Sequence, residues 1–154
     1  MEREYDDTDA RLLRIVQADA RLSAAELSER VHLSPSACHR RLQRLERAGV
    51  IRAQVALLDR RAVGRPVVVF VEISLASQAD DVLDAFEAAA ARIPDVLECH
   101  LMTGAYDYLL KVVARDSEDF ARIHRKHLAG LPGVAKLQSS FALKTVSETT
   151  ALPV

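Results

Sequence analysis

In the first third of the chain, apolar residues recur at the spacing expected of helices. Leu12, Leu13, Ile15 and Val16 lie three and four residues apart, which predicts the buried side of a first helix. A second helix is predicted to begin at Ser23-Ala-Ala-Glu26, because a serine followed three residues later by a glutamate has the spacing of a capping box. The pattern therefore predicts short helices joined by connections of a few residues.

A third helix is predicted from Ser34-Pro35 to Ala48. Serine is a favoured N-cap, and proline suits the first helical position because no backbone N–H is needed there. Gly49 is a natural terminator, since glycine adopts the left-handed conformation that ends many helices. The three predicted helices form a compact helix-turn-helix unit.

A strand-like segment and a polar connection follow the helices. Apolar residues occupy every second position from Ile51 to Leu57, which predicts a strand. The polar stretch 59–66 contains Gly64 and Pro66, and we interpret it as a linker.

Strand and helix patterns alternate through the rest of the chain. The order strand, helix, strand, strand, helix, strand is predicted over 67–75, 79–93, 96–102, 106–114, 116–131 and 134–146. This βαββαβ order is the ferredoxin-like arrangement, an antiparallel sheet with helices on one face. The predicted class is α+β, with a helix-turn-helix domain at 1–58, the linker at 59–66 and a second domain at 67–154.

Composition narrows the class of protein. The chain has 154 residues, of which 49% are hydrophobic and 28% charged, so it can form one domain or two small ones and is not a disordered chain. No apolar stretch reaches the roughly 18 residues of a membrane-spanning helix, and the acidic residues 1–7 lack the apolar run of a signal peptide. Cys38 and Cys99 lie in different predicted segments, so we expect no disulfide framework and a cytoplasmic protein.

The charge is sorted along the chain, although the net formal charge is only −1. Residues 1–29 contain eight acids and four arginines, a charge of −4. Residues 30–52 contain six arginines and one acid, Glu46, a charge of +5. This asymmetry indicates a basic surface on and near the third helix.

The third predicted helix has an apolar side and a basic side. Cys38, Leu42 and Leu45 follow helical spacing and form its inner face, while serines, arginines and a glutamine follow the same spacing on another face. Such a helix fits the major groove of double-stranded DNA, which is about 12 Å wide. We predict that Ser36, His39, Arg40, Gln43 and Arg44 read bases or nearby phosphates, that Arg41, Arg47 and Arg52 mainly hold phosphates, and that Ser34 lies in the same site. The alternative is a solvated helix whose arginines pair with acids elsewhere, although only Glu46 lies within the segment itself.

Three segments resemble one protein family. Residues 27–51, which include Leu33-Ser-Pro-Ser-Ala-Cys38, resemble the DNA-binding segment of the Lrp/AsnC (leucine-responsive, feast/famine) transcription regulators. The later Thr103-Gly-Ala-Tyr-Asp-Tyr108 resembles that family's effector-domain motif, and Leu131-Pro-Gly-Val134 resembles its segment before the last strand. His32 stands where the family often has glycine, so a positive φ is expected at a residue that adopts it uncommonly.

The resemblance implies a winged helix-turn-helix domain joined to a ferredoxin-like ligand-sensing domain. It also implies a homo-oligomer, in which dimers form through the second domain's sheet and associate into tetramers or octamers. Amino acids bound between dimers would change assembly or DNA affinity. We therefore expect a sequence-specific transcription regulator that needs no cofactor and is not an enzyme.

The turn from Thr103 to Asp107 is suited to an α-amino acid. Gly104 permits close backbone approach to a carboxylate, Asp107 can pair with an ammonium group, and Thr103 adds a hydroxyl. The alternative is a hairpin turn in which Gly104 supplies a positive φ and Asp107 only satisfies backbone groups. The predicted effector-binding residues are Met102, Thr103, Gly104, Tyr106, Asp107, Gln138 and Ser140. Of these, Gln138 and Ser140 are expected to come from a neighbouring subunit.

Signals for metal binding and catalysis are weak. His124 and His127 lie three apart on a predicted helix without a third ligand type nearby, and Cys99 and His100 point to opposite faces of a strand. We find no phosphate-binding glycine loop, nucleophile elbow or zinc-protease helix, and we expect no metal. Two alternatives stay open: a small amino-acid-binding enzyme, and an architectural DNA-binding protein without an effector.

Overall fold

The computed structural model describes residues 4–154, so the first three residues of the acidic start lie outside the described residues. The chain divides into two compact units. One extends to Leu57 and includes Ser147–Val154, and the other is Leu58–Val146. The sequence places 147–154 in the second domain, but the structure groups this segment with the helical unit. The reason is local: the Gln17 side chain donates to the Leu152 carbonyl (3.1 Å) and accepts from the Leu152 N–H (2.6 Å).

The first unit contains three helices, α1 (Asp7–Ala18), α2 (Ala24–Val31) and α3 (Pro35–Arg47). Each begins at a side-chain cap. Asp6 and Ser23 form capping boxes with Asp9 and Glu26, and Ser34 caps α3. The helix starts indicated by the sequence for α2 and α3 are therefore confirmed.

The three helices pack around a small core of Leu12, Leu27, Val31 and Cys38. His32 ends α2 in the left-handed conformation with φ 56°, and among the described residues it is the one non-glycine with positive φ. His32 therefore adopts the left-handed conformation at the position where the family often has glycine. Burial raises the pKa of the Cys38 thiol and leaves it a small core residue.

The segment 51–57 forms no strand, so this prediction is wrong. Val55 is 74% exposed and Leu57 is 71% exposed. Alternation of apolar residues produces a strand only when a second strand supplies backbone hydrogen bonds. Within the part of the chain that the structure describes, no strand pairs with this segment.

The second unit is a four-stranded antiparallel sheet with helices on one face. Its elements are β1 (Val67–Leu75), α4 (Asp80–Ala90), β2 (Val96–Leu101), β3 (Tyr108–Ala114), α5 (Ser117–Ile123) and β4 (Val134–Phe141). The strand order is β2-β3-β1-β4, and every pairing is antiparallel. The βαββαβ prediction is confirmed, although the last strand ends at Phe141 rather than at residue 146.

The core of this unit lies between the sheet and its helices. Val69, Val71 and Ile73 of β1 are fully buried and pack with Phe86 of α4 and Ile123 of α5. The residues that alternate with them, such as Phe70 and Glu72, point to the opposite face of the sheet. Phe70 is exposed there.

The helix after β3 changes its geometry partway along. The sequence predicts one helix continuing to Leu131, but α5 ends at Ile123 and a π-helical turn follows from His124 to Leu128. Ala129 N–H donates to the His124 carbonyl in this wider turn. Among the described residues, no helix has both the length and the apolar character needed to cross a membrane.

A buried carboxylate on α5 gathers arginines from three places in the second unit. Asp119 has a side chain that is 1% exposed, and it accepts from Arg65 (3.1 Å), Arg115 (3.3 Å) and Arg122 (2.7 Å). The Arg115 backbone N–H, followed by the Arg122 and Arg115 guanidinium groups, holds the pKa of Asp119 well below its usual 3.8.

We expect Asp119→Asn to lower the melting temperature at neutral pH, because the three guanidinium groups lose their shared anion. The folded carboxyl has the lower pKa, so its stabilisation is present above pH 3.8 and is lost as the pH falls through the folded value. Thermal melts of the wild type and the variant at pH 7 and pH 3 measure the difference between their melting temperatures, which should be smaller at pH 3. Glu118→Gln is the control, since Glu118 is an exposed neighbour; equal melting temperatures for both variants at pH 7 would contradict the prediction.

Candidate DNA-binding surface and effector site

The N-terminus of α3 is organised by two serines. The Ser34 hydroxyl accepts from the Ala37 N–H (3.2 Å), and the Ser34 and Ser36 hydroxyls lie 3.1 Å apart. Ser34 is therefore engaged as a helix cap, while Ser36 is exposed on the first turn. Both lie beside the positive end of the α3 dipole, which favours anions such as phosphate.

The exposed side of α3 carries cations that have no ion-pair partner within residues 4–154. Arg40 and Arg47 are exposed, and Arg52 is exposed beyond the helix. Across residues 4–154, the side chains of these three arginines form no ion pair or hydrogen bond. His39 and Gln43 lie one turn apart, with their side-chain nitrogens 3.0 Å from each other. These residues form a polar face with free guanidinium groups.

Two arginines of α3 are instead paired with acids at the start of α1. Arg41 donates to Asp6 (2.7 Å) and Asp9 (2.9 Å), and Arg44 donates to Asp9. The alternative in which arginines pair with acids elsewhere therefore applies to Arg41 and Arg44. These pairs were not predicted because the acids lie far from the arginines in the sequence. Asp6 and Asp9 are recognisable as capping residues of α1, outside the segment 30–52.

The capping box and the ion pair both favour ionised Asp6. Hydrogen bonds from the Asp9 backbone N–H and then from Arg41 lower the pKa of Asp6 to about 2. The hydrogen bonds that Arg41 donates to the side chains of Asp6 and then Asp9 raise the pKa of Arg41 above its already high value. Asp6 and Arg41 are therefore both charged at neutral pH.

The turn between β2 and β3 is anchored to β1. Met102 N–H donates to the Asp107 carbonyl (2.8 Å), and Asp107 N–H donates to the Ile73 carbonyl (2.9 Å). Gly104 has φ 134°, a conformation that favours glycine, and the space where a Cβ would lie is open. Thr103 and Gly104 are exposed, and Tyr106 is half-buried.

The Asp107 carboxylate is occupied by groups of its own chain. Its Oδ2 accepts from the Leu75 N–H (2.7 Å), and its Oδ1 accepts from Gln78 Nε2 (2.6 Å). The backbone role considered for Asp107 is therefore present in the structure. Gln78 belongs to no recognisable sequence motif. Its hydrogen bond to Asp107 depends on where the fold places the loop before α4.

The predicted effector residues fall into two groups. Met102, Thr103, Gly104, Tyr106 and Asp107 lie together in the turn at one end of the sheet. Gln138 and Ser140 lie on β4, paired with Glu72 and Phe70, on the sheet face opposite the helices. The β1 strand separates β4 from the strand that carries the turn.

The neighbouring tyrosine, Tyr108, is a core residue. Its ring packs against Phe86, and its hydroxyl donates to Glu87 Oε1 (2.7 Å). Burial, followed by the contact with Glu87, raises the pKa of Tyr108 above its usual range.

The histidines and cysteines form no metal-ligand set in the part of the chain that the structure describes. No group of three or more His, Cys, Asp or Glu side chains has metal-binding geometry there. His100 lies 3.2 Å from Glu98, and His124 packs against Phe120.

Two protein-family models and several known transcriptional regulators match this chain. A model described as the Lrp/AsnC ligand binding domain matches residues 68–152, and a winged helix-turn-helix DNA-binding model matches residues 5–52. The leucine-responsive regulatory protein of Salmonella typhimurium is 37% identical over 152 residues, covering 99% of this chain and 93% of that protein. An uncharacterised helix-turn-helix transcriptional regulator of Sinorhizobium fredii is 45% identical over 116 residues, covering 75% of this chain and 91% of that protein.

Solved structures of transcriptional regulators are similar to this chain over nearly its full length. A transcriptional regulator from Neisseria meningitidis, crystallised with L-methionine, has a TM-score of 0.91 and 41% identity, covering 97% of this chain and 96% of that chain. An AsnC family regulator from Agrobacterium tumefaciens has a TM-score of 0.93 and 38% identity, with 97% of each chain covered.

A helix-turn-helix unit followed by a ligand-binding domain defines a DNA-binding transcriptional regulator. The chain belongs to the Lrp/AsnC family of these regulators, and the resemblance noted in the sequence is confirmed.

We expect Asp107→Ala to lower the free energy of unfolding by about 1–3 kcal/mol, because the Leu75 N–H loses its acceptor. Urea denaturation measures this loss. Asp107→Asn is the matched control, since an amide oxygen can still accept from the Leu75 N–H, and it should cost less than alanine. An alanine variant as stable as the wild type would show that the contact does not hold the end of β1.

Proposed function

We propose that this regulator binds its DNA through the exposed side of α3 as a cytoplasmic homo-oligomer, and that a small-molecule effector, an amino acid, modulates its DNA affinity or assembly. The observation that supports the DNA surface is the set of cations on α3 that have no acidic partner in the described part of the chain, next to a helix N-terminus that favours phosphate. The alternative was a solvated helix whose arginines pair with acids. Arg41 and Arg44 do pair with acids, but the cations on the exposed side do not pair with those acids.

Within this proposal the residues of the DNA surface have different roles. Ser36, Arg40 and Gln43 lie on the exposed face and contact bases or adjacent phosphates. Arg47 and Arg52 hold phosphates, because they extend from the end of α3 and beyond it. In a dimer, two α3 helices would bind half-sites about one helical turn, 10 to 10.5 base pairs, apart.

The second unit is proposed to form the dimer and to bind the effector. Its sheet face opposite the helices exposes Phe70 among polar residues, which suits burial against a second copy. The turn 102–107 offers an open space at Gly104 and an exposed Thr103 hydroxyl. Both oxygens of Asp107 already accept one hydrogen bond, yet a carboxylate can accept further bonds and can still pair with an ammonium group.

An amino acid is the proposed effector class because the matched domain is a ligand-binding domain and a structural relative was crystallised with L-methionine. Gln138 and Ser140 are proposed to contribute from a neighbouring subunit, since within the described chain β1 lies between β4 and the strand bearing the turn.

We expect Arg40→Ala to weaken binding to a duplex selected from random sequences by the wild-type protein by about fivefold or more, because one arginine–base contact contributes ~1–3 kcal/mol of discrimination. Arg47→Ala should weaken binding to all duplexes and reduce the slope of log K against log[salt] by about 0.9. Fluorescence anisotropy across a salt series measures both effects. Arg125→Ala, an exposed cation in the second unit, is the control. Wild-type affinity in Arg40→Ala would refute the proposed DNA face.

We expect at least one of the twenty amino acids, with L-methionine among the first probes, to raise the melting temperature of the wild-type protein. A ligand that binds only the native state at a hundred times its Kd adds ~2.7 kcal/mol of stability. Asp107→Asn should lose most of this shift, because it removes the charge that pairs with the ammonium group. A screen without any shift, alongside clear DNA binding, would favour the architectural alternative, and turnover of an amino acid would favour the enzyme.

A further inference from the structure

The carboxylate of Asp9 lies between α1 and the proposed DNA-binding helix. Its side chain is fully buried, although it belongs to the first turn of a helix. It accepts from the Asp6 N–H (3.0 Å), from Arg41 Nη1 (2.9 Å) and from Arg44 Nη2. A buried carboxylate is costly unless it is paired and hydrogen-bonded, so these donors account for its presence.

The capping box of α1 fixes the orientation of the Asp9 carboxylate independently of the arginines. Asp9 N–H donates to Asp6 Oδ1 (2.8 Å), while Asp6 N–H donates to Asp9 Oδ2, so the two residues form the reciprocal capping box of α1. The Asp9 rotamer is therefore set by the start of α1. The capping box in turn places both carboxylate oxygens against α3.

The two arginines that bind Asp9 differ in exposure. Arg41 also pairs with Asp6, and its side chain is only 28% exposed. Among the described residues Arg44 has one acidic partner, Asp9, and its side chain is 54% exposed. Arg41 therefore joins the two helices through two acids, while Arg44 is bound to Asp9 through Nη2 and its side chain stays about half exposed. A guanidinium carries five N–H donors, so the bond to Asp9 leaves most of them for a ligand.

We propose that Asp9 is a positioning residue for DNA recognition, which fixes the Arg44 guanidinium so that its remaining donors face the duplex. This inference rests on the proposed DNA face of α3. An arginine loses considerable rotamer freedom when it binds, and a guanidinium already held in one geometry loses less. The held arginine therefore favours a duplex with acceptors at the matching position over one without them. An arginine without such a partner loses more rotamer freedom when it reaches the same acceptors.

The direct test compares Asp9→Asn with Asp7→Asn. Both substitutions replace an aspartate in the first turn of α1, but Asp7 is exposed and forms no hydrogen bond or ion pair with the described residues of α3. Binding is measured to a duplex selected by the wild-type protein and to an unselected duplex of the same length. We expect Asp9→Asn to reduce the ratio of the two affinities by about fivefold or more, the lower end of what one bidentate arginine–base contact provides. Asp7→Asn should keep the wild-type ratio, although long-range electrostatics can raise its affinity for both duplexes.

A double-mutant cycle separates positioning from a purely structural role. If Asp9 acts through Arg44, Asp9→Asn should not reduce the ratio further in an Arg44→Ala background. A lower melting temperature with a wild-type ratio of affinities would show that Asp9 only stabilises the fold, and would overturn the proposal. An equal loss of discrimination with and without Arg44 would overturn it too.

A second variant covers the case in which Asp9→Asn does not fold at the assay temperature. Arg44→Lys keeps the positive charge beside Asp9 but loses the planar fork of donors. We expect a reduced ratio of affinities with an unchanged slope of log K against log[salt], because the number of charges is the same. A wild-type ratio in Arg44→Lys would overturn the proposal. Failure of the DNA face itself is recognised separately, from wild-type affinity in Arg40→Ala.

Discussion

The first unit depends on one buried electrostatic contact, the carboxylate of Asp9 between α1 and α3. Its small core of four apolar side chains joins the helices without fixing where the ends of long side chains lie. Asp9 supplies that constraint, because it binds Arg41 and Arg44 and is itself held by the capping box with Asp6. The same carboxylate therefore caps α1 and binds two cations of α3.

This contact explains the sorted charge of the chain. The acidic excess of 1–29 and the basic excess of 30–52 partly neutralise each other across α1 and α3, through Asp6 and Asp9 on one side and Arg41 and Arg44 on the other. Of the other arginines in this segment, Arg40 and Arg47 lie on the exposed side of α3 and Arg52 lies beyond its end. A near-neutral chain thus retains a local basic face, which is where a DNA-binding surface needs its charge.

Most of the fold was predictable from sequence because its signals are local. Ser23 and Glu26, or Ser34 and Pro35, specify helix starts within four residues, and the βαββαβ order follows from periodicity. The segment 51–57 shows the limit of such signals, since alternation does not say whether a pairing strand is present. The π-helical turn at His124–Leu128 is another limit, because its hydrogen-bonding pattern has no distinctive residue spacing. The candidate site divides in the same way: Arg40 and Gly104 were identified from their own neighbourhoods, whereas the partners of Arg44 and Asp107 come from other elements of the fold.

A crystal structure of the protein bound to a selected duplex would test the central claim most directly. The account predicts that α3 lies in the major groove, with the Arg40 guanidinium within hydrogen-bond distance of a base or phosphate and Asp9 still accepting from an Arg44 that also contacts the duplex. A duplex bound by another surface would contradict the assignment of α3. An Arg44 that binds Asp9 while turned away from the DNA would contradict the role given to the buried carboxylate.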